Sequence, residues 1–118
     1  MSDANEQWLD IGPASAVPQR GARQVDTPWG NIAVFRTADD RYFALEDRCP
    51  HSGGPLSQGI VHGAAVTCPL HNWVIGLESG RAQGPDTGCV RSYPVRITSG
   101  HIYLGFRRSG SAVRENAA

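Results

Sequence analysis

The chain has 118 residues, of which 40% are apolar and 19% charged, a length that suits one small domain burying about two-thirds of its unfolded surface. Its 11 basic residues, all Arg, balance 11 acidic ones, which argues against nucleic-acid binding or attachment to an anionic membrane surface. The longest apolar runs, 32–35 and 42–45, have four residues each, far short of the ~20 that span a bilayer.

From the N-terminus, MSDANEQW has no basic stretch followed by an apolar one, so no secretory signal is read and a cytoplasmic location is expected. Residues 1–6 are polar or small and are expected to form a tail. Weak strand signals cover 8–11 and 23–26. Residues 31–37 and 41–46, rich in Ile, Val, Phe, Tyr and Leu, read as a hairpin turning at Ala38-Asp39-Asp40. Of the 22 Gly and Pro residues, 12 fall between Glu46 and Gly88, which marks 46–88 as a turn-rich insert. Strand signals return at 90–92, 95–98 and 101–106, with Ser99-Gly100 as a two-residue turn, and Val95, Ile97, Ile102, Leu104 and Phe106 are expected to face the core. Residues 107–118 read as a second tail. No segment keeps a 3.6-residue apolar period, so the expected fold is all-β.

The insert carries the chemistry. Cys49-Pro50-His51 is followed, after 16 residues, by Cys68-Pro69-Leu70-His71, so each of two short loops offers one thiolate and one imidazole. Soft sulfur and borderline nitrogen donors suit zinc or an iron-sulfur cluster, whereas Mg or Ca would call for oxygen ligands. Zinc fingers usually group their cysteines on one knuckle and their histidines on a helix; here each loop mixes the two. A [2Fe-2S] centre with two Cys on one iron and two His on the other needs such mixing, because each loop then reaches both irons. A zinc site that merely holds the loops together is the simpler alternative and is weighted well below the cluster.

The Cys-x-His and Cys-x-x-His pair, with its spacer, resembles the pattern of the Rieske family. The longer strings CPHSGGPLSQGIV, VTCPLHNWVIGLESG and GCVRSYPVRI are similar, more narrowly, to the small subunits of assimilatory NAD(P)H-dependent nitrite reductases, over roughly residues 8–106. The resemblance implies a single Rieske domain over 1–118: an antiparallel sandwich or barrel base (7–45 and 89–106) carrying a small cluster-binding subdomain (46–88). It implies Cys49 and Cys68 on a buried iron and His51 and His71 on an exposed one. Gly84-Pro85 resembles the start of a third, cluster-covering loop, with Thr87 in place of its second proline.

The resemblance also implies a partner, a large nitrite reductase subunit holding FAD, a [4Fe-4S] cluster and sirohaem that reduces nitrite to ammonium. The small chain would relay electrons to it or support it. A stand-alone Rieske ferredoxin feeding a ring-hydroxylating oxygenase would use the same four ligands, and a zinc-bound, non-redox structural subunit is a third reading. Neither ligand loop has the extra cysteine, or the Ser and Tyr donors, of high-potential Rieske proteins, so a potential near the low end of the range, about −150 mV, is expected. No nucleophile elbow or glycine-rich phosphate loop is present, so no catalytic pocket is expected.

The remaining candidates are read more simply. Cys89 is expected to be a small buried residue, His62 and His101 solvent-facing histidines, and Trp73 a core aromatic. Gly53, Gly54 and Pro55 are expected to shape the first loop, and Asp47 with Arg48 to be an ordinary solvated pair.

Overall fold

Strands buried on one face alternate apolar and polar residues, whereas a continuous apolar run marks burial on both faces. The run 32–35 is of the second kind: Ile32, Ala33, Val34 and Phe35 are all buried. In the computed structural model, which describes residues 6–28, 30–50, 53–69, 72–83 and 88–107, this run forms the middle of β3 (Gly30–Arg36). β3 lies between β2 (Gly21–Thr27) and β4 (Tyr42–Glu46) in a four-stranded antiparallel sheet of order β2-β3-β4-β8, where β8 is Ser92–Tyr93. Two separate apolar cores occupy its two faces.

On one face, Ile32, Val34 and Ala44 pack with Ile11, Ile102, Leu104 and Phe106 of a second sheet. That sheet joins β1 (Glu6–Pro13), β10 (His101–Arg107) and β9 (Val95–Thr98) in the order β1-β10-β9. On the other face, Ala33, Phe35 and Leu45 pack with Leu56, Val61, Val66, Ile75, Leu77 and Val90. Several of these come from a small third sheet of β5 (Ile60–His62), β6 (Ala65–Thr67) and β7 (Val74–Gly76), all within the turn-rich insert. The all-β expectation holds: every strand pairing among the described residues is antiparallel, and the helical content is two 3-10 turns, Ala14–Ala16 and Leu56–Gln58. Among those residues no helix is long and apolar enough to cross a membrane.

Several boundaries differ from the sequence reading. β1 and β2 run longer than the expected 8–11 and 23–26 because their ladders, Glu6↔Arg107 to Pro13↔His101 and Gly21↔Arg36 to Thr27↔Gly30, extend through residues that carry no apolar alternation. β1 and β10 reach Glu6 and Arg107, paired with each other, one residue into each expected tail. Ile97, expected to face the core, is 43% exposed. It pairs with the buried Ile102, but β9 is the outer strand of its sheet, so the core layer covers Ile97 only in part. Positions 108–118 and 1–5 lie outside the described residues.

Candidate metal centre

The chain leaves β4 at Glu46 and enters the first motif loop. The Cys49 amide donates to the Gly54 carbonyl at 2.7 Å, and the Gly53 amide donates back to the Cys49 carbonyl at 2.8 Å. The turn requires Gly53 at φ +78°, in the left-handed region that glycine enters without steric cost. The second loop joins β6 to β7. There the Cys68 amide donates to the Trp73 carbonyl at 2.7 Å, and Asn72, at φ +59°, takes the left-handed position. Both loops therefore follow one plan: a cysteine amide bonded to the carbonyl five residues on, with the left-handed residue just before that carbonyl.

Cys49 and Cys68 are 1% and 0% exposed and belong to the same apolar core as Phe35, Leu45, Val66 and Ile75. None of the three cysteines is paired in a disulfide. Two buried sulfurs in an apolar wall suit a soft-metal or iron-sulfur centre and offer nothing to a hard cation, so the donor chemistry fits the expected two-iron cluster. The expected ligands His51 and His71, and the third-loop residues Gly84, Pro85 and Thr87, lie outside the described residues.

The segments on either side of 84–87 are described, and they run against β7 and against each other. Gly76 donates its amide to the Arg81 carbonyl at 2.9 Å and accepts the Gly80 amide at 2.8 Å, and the Gln83 amide donates to the Val74 carbonyl at 2.8 Å. The Ala82 amide then reaches the Gly88 carbonyl at 2.9 Å, and Arg81 bridges Cys89. A side-chain carbon at Gly88 would stand 3.1 Å from Cβ of Pro50 in the first loop and 3.6 Å from the Trp73 ring in the second. Gly88 is thus the point where both loops close on the returning chain, a role the sequence reading missed. Its only sequence signal was one more glycine in a glycine-rich stretch.

Two expectations are corrected here. Asp47 is not half of a solvated pair: it is 9% exposed, while Arg48 beside it is exposed. Its Oδ1 accepts the Ser57 amide at 2.7 Å, and its Oδ2 accepts the Ser57 hydroxyl at 2.8 Å and the Gln24 side-chain amide at 2.6 Å. Cys89, expected to be buried, is exposed, because it is Val90 that turns into the core. Trp73 is half-buried against the core that holds both cysteines, as expected of a core aromatic. His62 and His101 belong to neither motif. His62 Nε2 lies 2.6 Å from Thr67 Oγ1, and His101 Nδ1 lies 3.0 Å from Asp10 Oδ1.

Comparison with known proteins agrees with this geometry. The ferredoxin subunit of 3-phenylpropionate/cinnamic acid dioxygenase from Photorhabdus laumondii is 40% identical over 99 residues, spanning 81% of this chain and 91% of that one. A chain from the complex of reduced oxygenase and oxidised ferredoxin in carbazole 1,9a-dioxygenase superposes with a TM-score of 0.76 at 26% identity, covering 90% of this chain and 97% of that one. A candidate NADH-dependent nitrite reductase small subunit from Mycobacterium tuberculosis gives 0.77 at 25% identity, covering 85% and 95%. Residues 7–94, which include both cysteine loops and most of the strands around them, match the Rieske [2Fe-2S] domain family, and the chain belongs to it as a ferredoxin-type electron carrier with a Rieske-type cluster.

Proposed function

We propose that this chain is a stand-alone Rieske ferredoxin that passes single electrons to a ring-hydroxylating oxygenase. The observation that carries this reading is the 40% identity over 91% of the length of a dioxygenase ferredoxin subunit. In this reading Cys49 and Cys68 hold one iron and His51 and His71 the other, and the bound cluster supplies reversible one-electron chemistry. Residues 46–88 are the cluster-binding part, and 7–45 with 89–106 are the base that presents it. The apolar core around the two cysteines keeps water from their sulfurs and fixes where each loop emerges. A cytoplasmic location fits a carrier of this kind.

A second reading has its own support. The likeness to a candidate nitrite reductase small subunit, at 25% identity over 95% of that chain, keeps alive the role of small subunit to a large chain bearing FAD, a [4Fe-4S] cluster and sirohaem. The two readings differ in which enzyme reoxidises the carrier. Chemically reduced protein is mixed without oxygen with the oxygenase component or the sirohaem subunit from the same host, and its visible bands are followed. Rapid reoxidation by the oxygenase, with none by the sirohaem subunit in the presence of nitrite, supports the proposal; the reverse result replaces it with the second reading.

A further inference from the structure

The carboxylate of Asp47 has no part in the proposed ligand set, yet it is buried at the entrance to the first loop and, among the described residues, accepts its hydrogen bonds from neutral donors. Ser57 supplies two, from its backbone amide and its hydroxyl, and Gln24 on β2 supplies the third. Its own amide donates to the Asn31 carbonyl at 3.0 Å, which ties the backbone to the start of β3. Asp47 precedes Cys49 by two residues, and Ser57 follows Gly54 by three, in the 3-10 turn Leu56–Gln58. The carboxylate therefore clasps the chain on both sides of the Cys49 loop and pins the clasp to the central sheet. Three neutral donors are aimed at its two oxygens, and among the described residues no Arg or His forms an ion pair with it.

We propose that Asp47 is a positioning residue for the cluster: it fastens the Cys49 loop through Ser57 and Gln24, and its carboxylate charge disfavours reduction. The second part follows from Coulomb's law. Reduction adds one electron to the cluster and so one negative charge, and a fixed negative charge nearby, in a buried and weakly screened setting, raises the energy of that state. The proposal rests on the ligand assignment above but is independent of which enzyme receives the electron.

The two parts are separable by substitution. In Asp47→Asn the charge is lost, but the contacts can survive, because the Gln24 amide can turn to present its oxygen and the Ser57 hydroxyl can rotate to accept. In the double variant Gln24→Ala/Ser57→Ala the charge stays and two of the three donors go. Cluster-loaded wild type and both variants are compared by protein-film voltammetry and by the rate at which a chelator bleaches the visible bands.

Asp47→Asn is expected to raise the ratio of reduced to oxidised cluster at a fixed potential about tenfold, a shift of about 59 mV for a one-electron couple. The double variant is expected to keep the wild-type potential but lose its cluster several-fold faster. An Asp47→Asn protein with an unchanged or lowered potential overturns the electrostatic part, and a double variant that loses its cluster at the wild-type rate overturns the fastening. Should Asp47→Asn fail to load a cluster, the double variant still decides the fastening, and a potential measured in Asp47→Glu, which keeps the charge, must stay close to wild type. A wild-type protein that binds no iron and sulfide would refute the ligand assignment instead, and that result is read before any variant is made.

Discussion

The loop opened by Cys49 and the loop opened by Cys68 share a backbone plan but differ in what holds them. The second is the turn of the β6–β7 hairpin, so the ladder Thr67↔Val74, Val66↔Ile75 and Ala65↔Gly76 fixes both of its ends. The first joins β4 to a 3-10 turn, and among the described residues no hairpin ladder closes it; its ends are held by the Asp47 carboxylate, by the Asp47 amide on the Asn31 carbonyl and by its own two backbone bonds. A hairpin sets its turn through backbone pairing that tolerates many side chains, whereas a clasp made by one carboxylate depends on that residue. Equal loops can therefore have unequal sensitivity to substitution.

The largest expected effect tests where the loops are equal. Under the proposed ligand set, Cys49→Ser and Cys68→Ser each remove a thiolate for which a hydroxyl is a poor substitute on iron, so each should abolish cluster assembly. Visible absorption and iron-sulfide analysis would show the loss, while far-UV circular dichroism should remain that of a β protein, since the core between β3 and β10 contains neither cysteine. A variant that keeps a full cluster would remove that cysteine from the ligand set and break the symmetry between the loops.

The ease of reading these loops from sequence also follows from how each is held. The ligand pattern is local: Cys49-Pro50-His51 and Cys68-Pro69-Leu70-His71 announce a mixed-donor centre without reference to anything distant. The apolar run 32–35 likewise reads as a strand, although only the structure shows that its two faces serve two cores. Asp47 was illegible because its partner Gln24 lies 23 residues away on another strand, while its sequence neighbour Arg48 suggests a surface pair. Ile97 alternates correctly with its neighbours, but alternation does not say whether a strand is at the edge of its sheet. Cys89 and Val90 are adjacent, and a small apolar residue of either type could have been the inward one.

A smaller effect is expected where both loops are touched at once. Gly88 has φ +142°, and a Cβ there would crowd Pro50 at 3.1 Å and touch the Trp73 ring at 3.6 Å, so branching it would press on both loops. Gly88→Val should cost about 1–3 kcal/mol through backbone strain and overpacking. Because the intrusion reaches both loops, it should lower the thermal midpoint and speed cluster loss together. If cluster loss is unchanged while the midpoint falls, the contact matters to folding alone.

The left-handed positions give a sharper contrast of about 1 kcal/mol. Gly53→Ala places a Cβ at φ +78°, with open space around it, so its cost is the backbone term of about 1–2 kcal/mol. Asn72→Gly puts the better residue for φ +59° into the second loop at the expense of a more flexible unfolded chain, and should stay within about 0.5 kcal/mol of neutral. Urea unfolding of the two variants tests this; comparable losses in both would show that the Asn72 side chain, and not only its backbone angle, supports the second loop.

The smallest effect lies in the base and asks whether that part can be weakened without disturbing either loop. The hydrogen bond from His101, then the Gly12 amide, hold the Asp10 carboxyl below its ordinary value of 3.8. A carboxyl depressed in the folded state contributes stability that is complete above the unfolded value and disappears as pH falls through the lower folded one, here in the range below about pH 4. Asp10→Asn should therefore be slightly less stable than wild type near neutrality, and the gap should close in acid as wild type loses the same contribution. Both side chains are close to half exposed, so the gap should also narrow at high salt. Urea midpoints of the two proteins across this pH range, at low and high salt, measure it, with the visible spectrum recorded at each point above the acid transition. β1 and β10 form a different sheet from the strands that flank the loops, so the spectrum of Asp10→Asn should match wild type throughout. A gap that widens in acid would mean that the Asp10–His101 contact is not the source of the depressed value, and a changed spectrum would mean that base and loops do not respond independently.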